Sequence, residues 1–145
     1  MQTPRGNRVS ARPIEGFFYG LFMDVEVLRQ AGTRPSNPRP AFVTDFALRI
    51  GERATLVPSG GARAYGMVIA LTHAELERLY GAPGLEHYRP EAVLARPFEG
   101  SVIPALCYNL LQAPEPHERN PDYATRLQSV LTRLGFPAEY VASVG

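Results

Sequence analysis

Glu86-His87-Tyr88-Arg89 places a carboxyl, an imidazole, a phenol and a guanidinium on four consecutive residues. A carboxylate or an imidazole held near neutral pKa can move a proton, and a guanidinium can fork onto a substrate carboxylate. The same four residues also read as a polar turn entering a strand, and both readings stand at this point. The other histidines, His73 and His117, are remote from them, and no histidine pairs with a carboxylate at metal-ligand spacing, so no metal is expected. Cys107 is the single cysteine and ends the apolar run Val102-Ile103-Pro104-Ala105-Leu106-Cys107. It reads as a small buried hydrophobe rather than a nucleophile, and it excludes an intrachain disulfide. No serine sits in a Gly-x-Ser-x-Gly elbow, and no Gly-x-Gly-x-x-Gly fingerprint is present.

A second candidate lies earlier, at Tyr19-Gly20-Leu21-Phe22-Met23-Asp24. A glycine late in a hydrophobic strand leaves room for a ligand to approach the backbone. The chain then turns toward a helix start, where unpaired amides suit a small carboxylate. The bland alternative is that Gly20 serves close packing and Asp24 only caps the helix.

Composition narrows the field. The chain has 145 residues, and all fifteen of its basic residues are arginine. Without lysine there is no Schiff-base chemistry and no phosphate-loop NTPase lysine. Fourteen acids leave a net charge of +1, which argues against nucleic-acid binding. No apolar stretch approaches membrane-span length, and the opening residues have no signal-peptide core, so a cytoplasmic protein without a membrane partner is expected. Residues 1–13 carry three arginines and no acid and read as a flexible tail, followed by one domain over 14–145.

The elements that would carry these residues follow from periodicity and punctuation. Phe17 to Phe22 reads as a buried strand, and Asp24 caps a short helix that Gly32 ends. Thr33 to Pro40, with three prolines, reads as a loop. Phe42, Thr44, Phe46, Leu48 and Ile50 alternate as a half-buried strand, and Gly51-Glu52 turns the chain into a partner strand at 54–57. Pro58-Ser59-Gly60-Gly61 is the strongest turn signal, and Tyr65 to Leu71 returns as a strand. Thr72-His73-Ala74-Glu75 matches a capping box for a short helix ending at Gly81. Two further strands are expected at 88–96 and 101–111, with Pro104 marking an edge or bulge. Asn120-Pro121 opens the last main helix, Gly135 stops it, and 137–141 can add a turn. Strands dominate without regular strand–helix alternation, which argues for an α+β class.

Phe18-Tyr19-Gly20-Leu21-Phe22-Met23 resembles the opening signature of the gamma-glutamylcyclotransferase-like family. Ala64-Tyr65-Gly66-Met67-Val68-Ile69 resembles its glycine-then-apolar strand, and Thr72 to Leu79 its following helix. Tyr88 falls where the family has a tyrosine entering the next strand, Tyr108 resembles a late-strand tyrosine, and Gly135 to Tyr140 resembles the family's ending. The likeness covers about residues 16–141.

The resemblance implies a small mixed β-barrel with about three short helices packed outside. It implies conversion of a γ-glutamyl amide into 5-oxoproline and a released amine, with the substrate's own amino group attacking its γ-carbonyl. No cofactor and no metal are needed. A small-molecule partner with a γ-glutamyl or related amide is implied, held at Tyr19, Gly20, Leu21, Phe22 and Met23 with Tyr88 and Tyr108. The family's acid–base glutamate follows the short helix in a pattern like Leu-Asp-x-x-Glu-Gly. Set against Leu79-Tyr80-Gly81-Ala82-Pro83-Gly84, the glutamate position is Pro83, which cannot transfer a proton. Glu86, three residues on, is then the substitute catalytic residue. Glu75 is occupied by its cap, Glu91 faces away from Tyr88, and Glu15, just before the first strand, is a weaker outsider. Three readings follow: a cyclising enzyme with a displaced glutamate, a non-catalytic small-molecule binding module on the same barrel, or, with less behind it, an interaction protein acting through its proline-rich loops and basic tail. Arg89 and Arg63 are the arginines expected nearest a substrate carboxylate.

Overall fold

The computed structural model describes residues 12–145. Five strands close a barrel in the order β1-β3-β2-β4-β5, with β1 Pro13–Phe18, β2 Ser36–Ile50, β3 Ala54–Thr72, β4 Tyr88–Pro97 and β5 Ile103–Leu110. Four strand pairs are antiparallel, and the closing pair, β1 with β5, is parallel at Gly16 and Leu106. The sheet is therefore mixed, as the resemblance implied. Closure removes the exposed edges that an open sheet would have to protect. Four α-helices pack outside: α1 Val25–Gln30, α2 His73–Tyr80, α3 Pro121–Arg133 and α4 Ala138–Ser143. The last is the extra turn expected near 137–141. Residues 1–11, most of the expected tail, lie outside the described residues, and β1 already begins at Pro13.

Three elements differ from their sequence expectation, each for a local reason. The first strand ends at Phe18 rather than Phe22, and Leu21–Met23 forms a 3-10 turn. The backbone of Gly66 allows that exit: a Cβ there would lie 2.2 Å from the Phe18 carbonyl oxygen. The proline-rich segment expected as a loop is partly strand, because Asn37 (φ 52°) takes up a register shift between Ser36 and Arg39. Pro58 to Gly61 does not reverse the chain. Thr44 pairs with Arg63 and Phe46 with Pro58, so the segment bulges within β3. Asp45 (φ 66°) faces the bulge and accepts a 2.9 Å bond from the Gly61 amide.

The core joins the strands to the helices. Phe17, Val43, Val68, Ile69 and Cys107 are buried from the barrel, with Met23, Leu28, Leu76, Leu127 and Leu131 from the outer elements. Cys107 has the buried position expected of it, and burial raises its thiol pKa. The α2 capping box is complete: the Thr72 hydroxyl accepts from the Glu75 amide, and the Glu75 carboxylate accepts from the Thr72 amide at 2.8 Å. The cap fixes where α2 starts, and Gly81 fixes where it stops. Tyr80, the last helical residue, is thereby aimed at the outer wall of the barrel.

Candidate functional site

A cavity of about 430 Å³ opens beside the exit of β1. Tyr19 to Phe22 form one side, and the tip of the β2–β3 hairpin, Glu52 to Ala54, forms another. Tyr88 and Tyr108 contribute from neighbouring strands, Tyr80 from the end of α2, and Tyr123, Arg126 and Val130 from α3. Sequence reasoning named six of these: Tyr19, Gly20, Leu21, Phe22, Tyr88 and Tyr108. Segments as far apart in the chain as Phe18 and Val130 thus meet at one place.

Tyr80 is the hub of the aromatic wall. Its ring stacks on Tyr108 with centroids 3.9 Å apart and planes 8° from parallel. Phe22 meets it edge-on at 5.8 Å, and Tyr88 lies 6.0 Å away. Two hydroxyls tie the wall to the barrel: Tyr19 donates to the Tyr108 carbonyl at 2.7 Å, and Tyr88 donates to the Ala54 carbonyl. Burial raises the phenol pKa of Tyr19, Tyr80, Tyr88, Tyr108 and Tyr123. These groups therefore stay protonated at neutral pH and do not serve as proton acceptors there.

The loop after β1 holds an occupant from its own chain. The Leu21 amide donates to the Tyr123 hydroxyl at 3.3 Å. A Cβ on Gly20 would lie 2.3 Å from that hydroxyl, so the space this glycine leaves is filled by Tyr123. The Asp24 carboxylate caps α1 through the Glu26 amide and pairs with Arg133 at 2.8 Å. Met23 is fully buried and does not line the cavity; its side chain belongs to the core.

Glu86 does not join this group. It is exposed, and the backbone amides of Glu86 itself and Gly84 hold its carboxyl below the ordinary range. A general acid needs the opposite environment. Pro83 is also exposed and outside the cavity. All fourteen acids fall within the described residues, and the two that line the cavity are Asp24 and Glu52. Glu75 is bound in its cap, Glu15 bonds Arg39, and Glu91 accepts from Asn109 at 2.8 Å. Arg89 donates to the Glu86 and Tyr88 carbonyls, and Arg63 lies over the Phe42 ring beside a different groove. The cavity's arginines are instead Arg53 and Arg126, which sequence reasoning missed. Nothing in the sequence marks Arg126 or Tyr123, since α3 reaches the site only through the fold. Arg53 was legible only as part of a hairpin turn. Among the described residues, no group of three or more histidine, cysteine or acidic residues is arranged to hold a metal.

The family profile described as gamma-glutamyl cyclotransferase, AIG2-like, matches residues 16–126. The chain belongs to that family. Solved structures agree on the fold. One named gamma-glutamyl cyclotransferase superposes with a TM-score of 0.74 at 20% identity, covering 92% of this chain and 89% of that one. YkqA from Bacillus subtilis matches at TM-score 0.74 and 22% identity over 95% of this chain, which spans 55% of YkqA. An uncharacterised protein from Homo sapiens matches at TM-score 0.71 and 21% identity, covering 92% and 88% of the two chains. No curated protein matches. Among the described residues, no helix is long and apolar enough to cross a membrane.

Proposed function

We propose that this cyclotransferase-family chain is a small-molecule binding protein that keeps the barrel-side cavity and has lost the cyclising chemistry. The observation that carries the reading is Tyr80. The pattern Leu-Asp-x-x-Glu-Gly fits Leu76-Glu77-Arg78-Leu79-Tyr80-Gly81 better than a register beginning at Leu79. It then keeps the leucine, the glycine and an acid at the second position. Gly81 is the C-cap of α2, so the glycine of the pattern has a structural reason to be there. In this register the glutamate position is Tyr80 and not Pro83, and Tyr80 lines the cavity while Pro83 does not.

Chemistry supports the same reading. Cyclisation needs a group that takes a proton from the attacking amine and returns one to the leaving amine. Tyr80, with its phenol pKa raised by burial, is a poor acceptor at neutral pH. Glu86 lies outside the cavity, and the Leu21 amide is already bonded to Tyr123.

The test is incubation with glutathione and a panel of γ-glutamyl amino acids, following 5-oxoproline. No product above the uncatalysed rate is expected. Product formation would overturn the proposal. A specific observation then favours one other reading: Glu52 lines the cavity and makes no ion pair among the described residues. Activity abolished by Glu52→Gln and untouched by Glu86→Gln would make Glu52 the displaced acid–base residue.

A further inference from the structure

We propose that the ligand of this cavity is an organic monoanion with a flat apolar body, its acid group facing Arg53 and Arg126 and its body lying against the tyrosine wall. The inference rests on the binding reading above and names the chemistry of the ligand.

Charge within the cavity carries the first half. Its lining holds Arg53, Arg126, Asp24 and Glu52. The Asp24 charge is balanced by Arg133, at 2.8 Å, which does not line the cavity. Two guanidiniums then stand against the single carboxylate of Glu52. Among the described residues, neither Arg53 nor Arg126 makes an ion pair. They come from the β2–β3 hairpin and from α3, so nothing in local sequence requires them to share a cavity. A guanidinium is weakly hydrated and presents a planar fork, which suits an incoming carboxylate. An apolar wall raises the strength of that contact over its value in open water.

Shape and surface carry the second half. The volume is in the range of small-ligand pockets, and the walls are mainly aromatic and aliphatic. A γ-glutamyl amino acid bears two carboxylates and an ammonium, and it would leave that apolar wall facing charged groups. A flat apolar body instead gains from contact with tyrosine rings. The tyrosine hydroxyls remain neutral donors, so they add no negative charge to oppose an anion.

The experiment compares naphthoate, naphthamide and naphthylmethylamine, which share a ring and differ in charge, by calorimetric titration of the full chain. Naphthoate should bind about tenfold tighter than naphthamide, and the amine weakest. Arg53→Gln and Arg126→Gln should each weaken naphthoate about tenfold and change naphthamide less than about twofold. Both residues sit at the rim, and matching melting curves would establish that the variants fold. Equal binding of naphthoate and naphthamide, an unchanged naphthoate affinity in both variants, or no binding by any of the three overturns the inference. The 5-oxoproline assay is independent of these outcomes. Cyclisation would sink the binding reading even if the anion preference held, and a missing anion preference would sink this inference even if no product formed.

Discussion

The barrel wall behind β5 and the cavity beside it both carry polar side chains, but they treat them differently. Asn109 and Thr55 are buried, and their side chains are bonded within the protein. Asn109 accepts from the Leu56 amide at 3.2 Å and donates to Glu91 at 2.8 Å, and Thr55 accepts from the Leu110 amide at 2.9 Å. In the cavity lining, by contrast, two guanidiniums stand without an ion-pair partner among the described residues. Buried polar groups left unpaired cost stability, whereas groups at a cavity rim can wait in water for a ligand. The difference separates residues that hold the barrel from residues that await a partner. Mutations should divide along the same line.

The largest effect should come from Gly66→Ala. Its Cβ would press on the Phe18 carbonyl oxygen at 2.2 Å, a backbone atom that cannot swing aside. We expect a loss at or above the top of the ~1–3 kcal/mol range for overpacking, measured by urea unfolding. A neutral result would mean that β1 leaves the barrel less rigidly than the comparison requires.

Asn109→Ala should follow, at about 2 kcal/mol, because it strands the buried Leu56 amide. Naphthoate affinity should stay within about twofold for the folded fraction. A large affinity loss with little change in stability would break the division between wall and cavity.

Gly20 and Tyr123 sharpen it from the cavity side. Gly20→Ala pushes the Tyr123 hydroxyl off the Leu21 amide, and Tyr123→Phe removes that hydroxyl outright. Each should cost about 1 kcal/mol. The double variant should fall short of the sum by about 0.5 kcal/mol or more, because both act on one contact. Strict additivity in a double-mutant cycle would show that the Tyr123 hydroxyl does not hold the space over Gly20.

The sequence carried more of the barrel than of the site, and the reasons are physical. The capping box of α2 and the Asn120 cap of α3 are encoded within four residues, and both are present. The alternation from Phe42 to Ile50 marked a strand, but not the bulge at Asp45. Past that bulge the buried face changes parity, from Ala41 and Val43 to Ile50. Pro58-Ser59-Gly60-Gly61 has every mark of a reversal, and pairing with β2 on both sides turned it into a bulge. In the site, Tyr19, Tyr88 and Tyr108 were found through a motif. Arg53, Arg126 and Tyr123 were missed because a hairpin tip and a distant helix supply them, and no local spacing records that meeting. Tyr80 stands immediately before Gly81, which ends α2, and the register beginning at Leu76, three residues earlier than the one at Leu79, puts the pattern's glutamate position on it.

The smallest effect tests whether the cavity wall depends on a cap that the barrel does not need. Thr72→Ala removes the hydroxyl that accepts from the Glu75 amide, at a cost of about 1 kcal/mol. The loss should be local to α2, so ligand affinity should suffer through a misplaced Tyr80 while the β-sheet circular dichroism persists. Glu75 gives the same cap a pH signature. Its partial burial pushes its pKa up, but bonds from the Thr72 amide, the Arg34 amide and the Thr72 hydroxyl outweigh that and hold it below the ordinary 4.5. A folded pKa below the unfolded one means the unfolded chain binds more protons as pH falls through that window. The contribution is therefore complete above about pH 4.5 and fades as the pH drops through the depressed folded value. Glu75→Gln should flatten that part of the acid limb and leave the neutral-pH slope alone. Because Glu75 is only partly buried, the change in slope should be small. Binding curves collected across the same window should weaken with it if α2 aims Tyr80, and a binding curve indifferent to Glu75 protonation would leave the wall resting on the barrel alone.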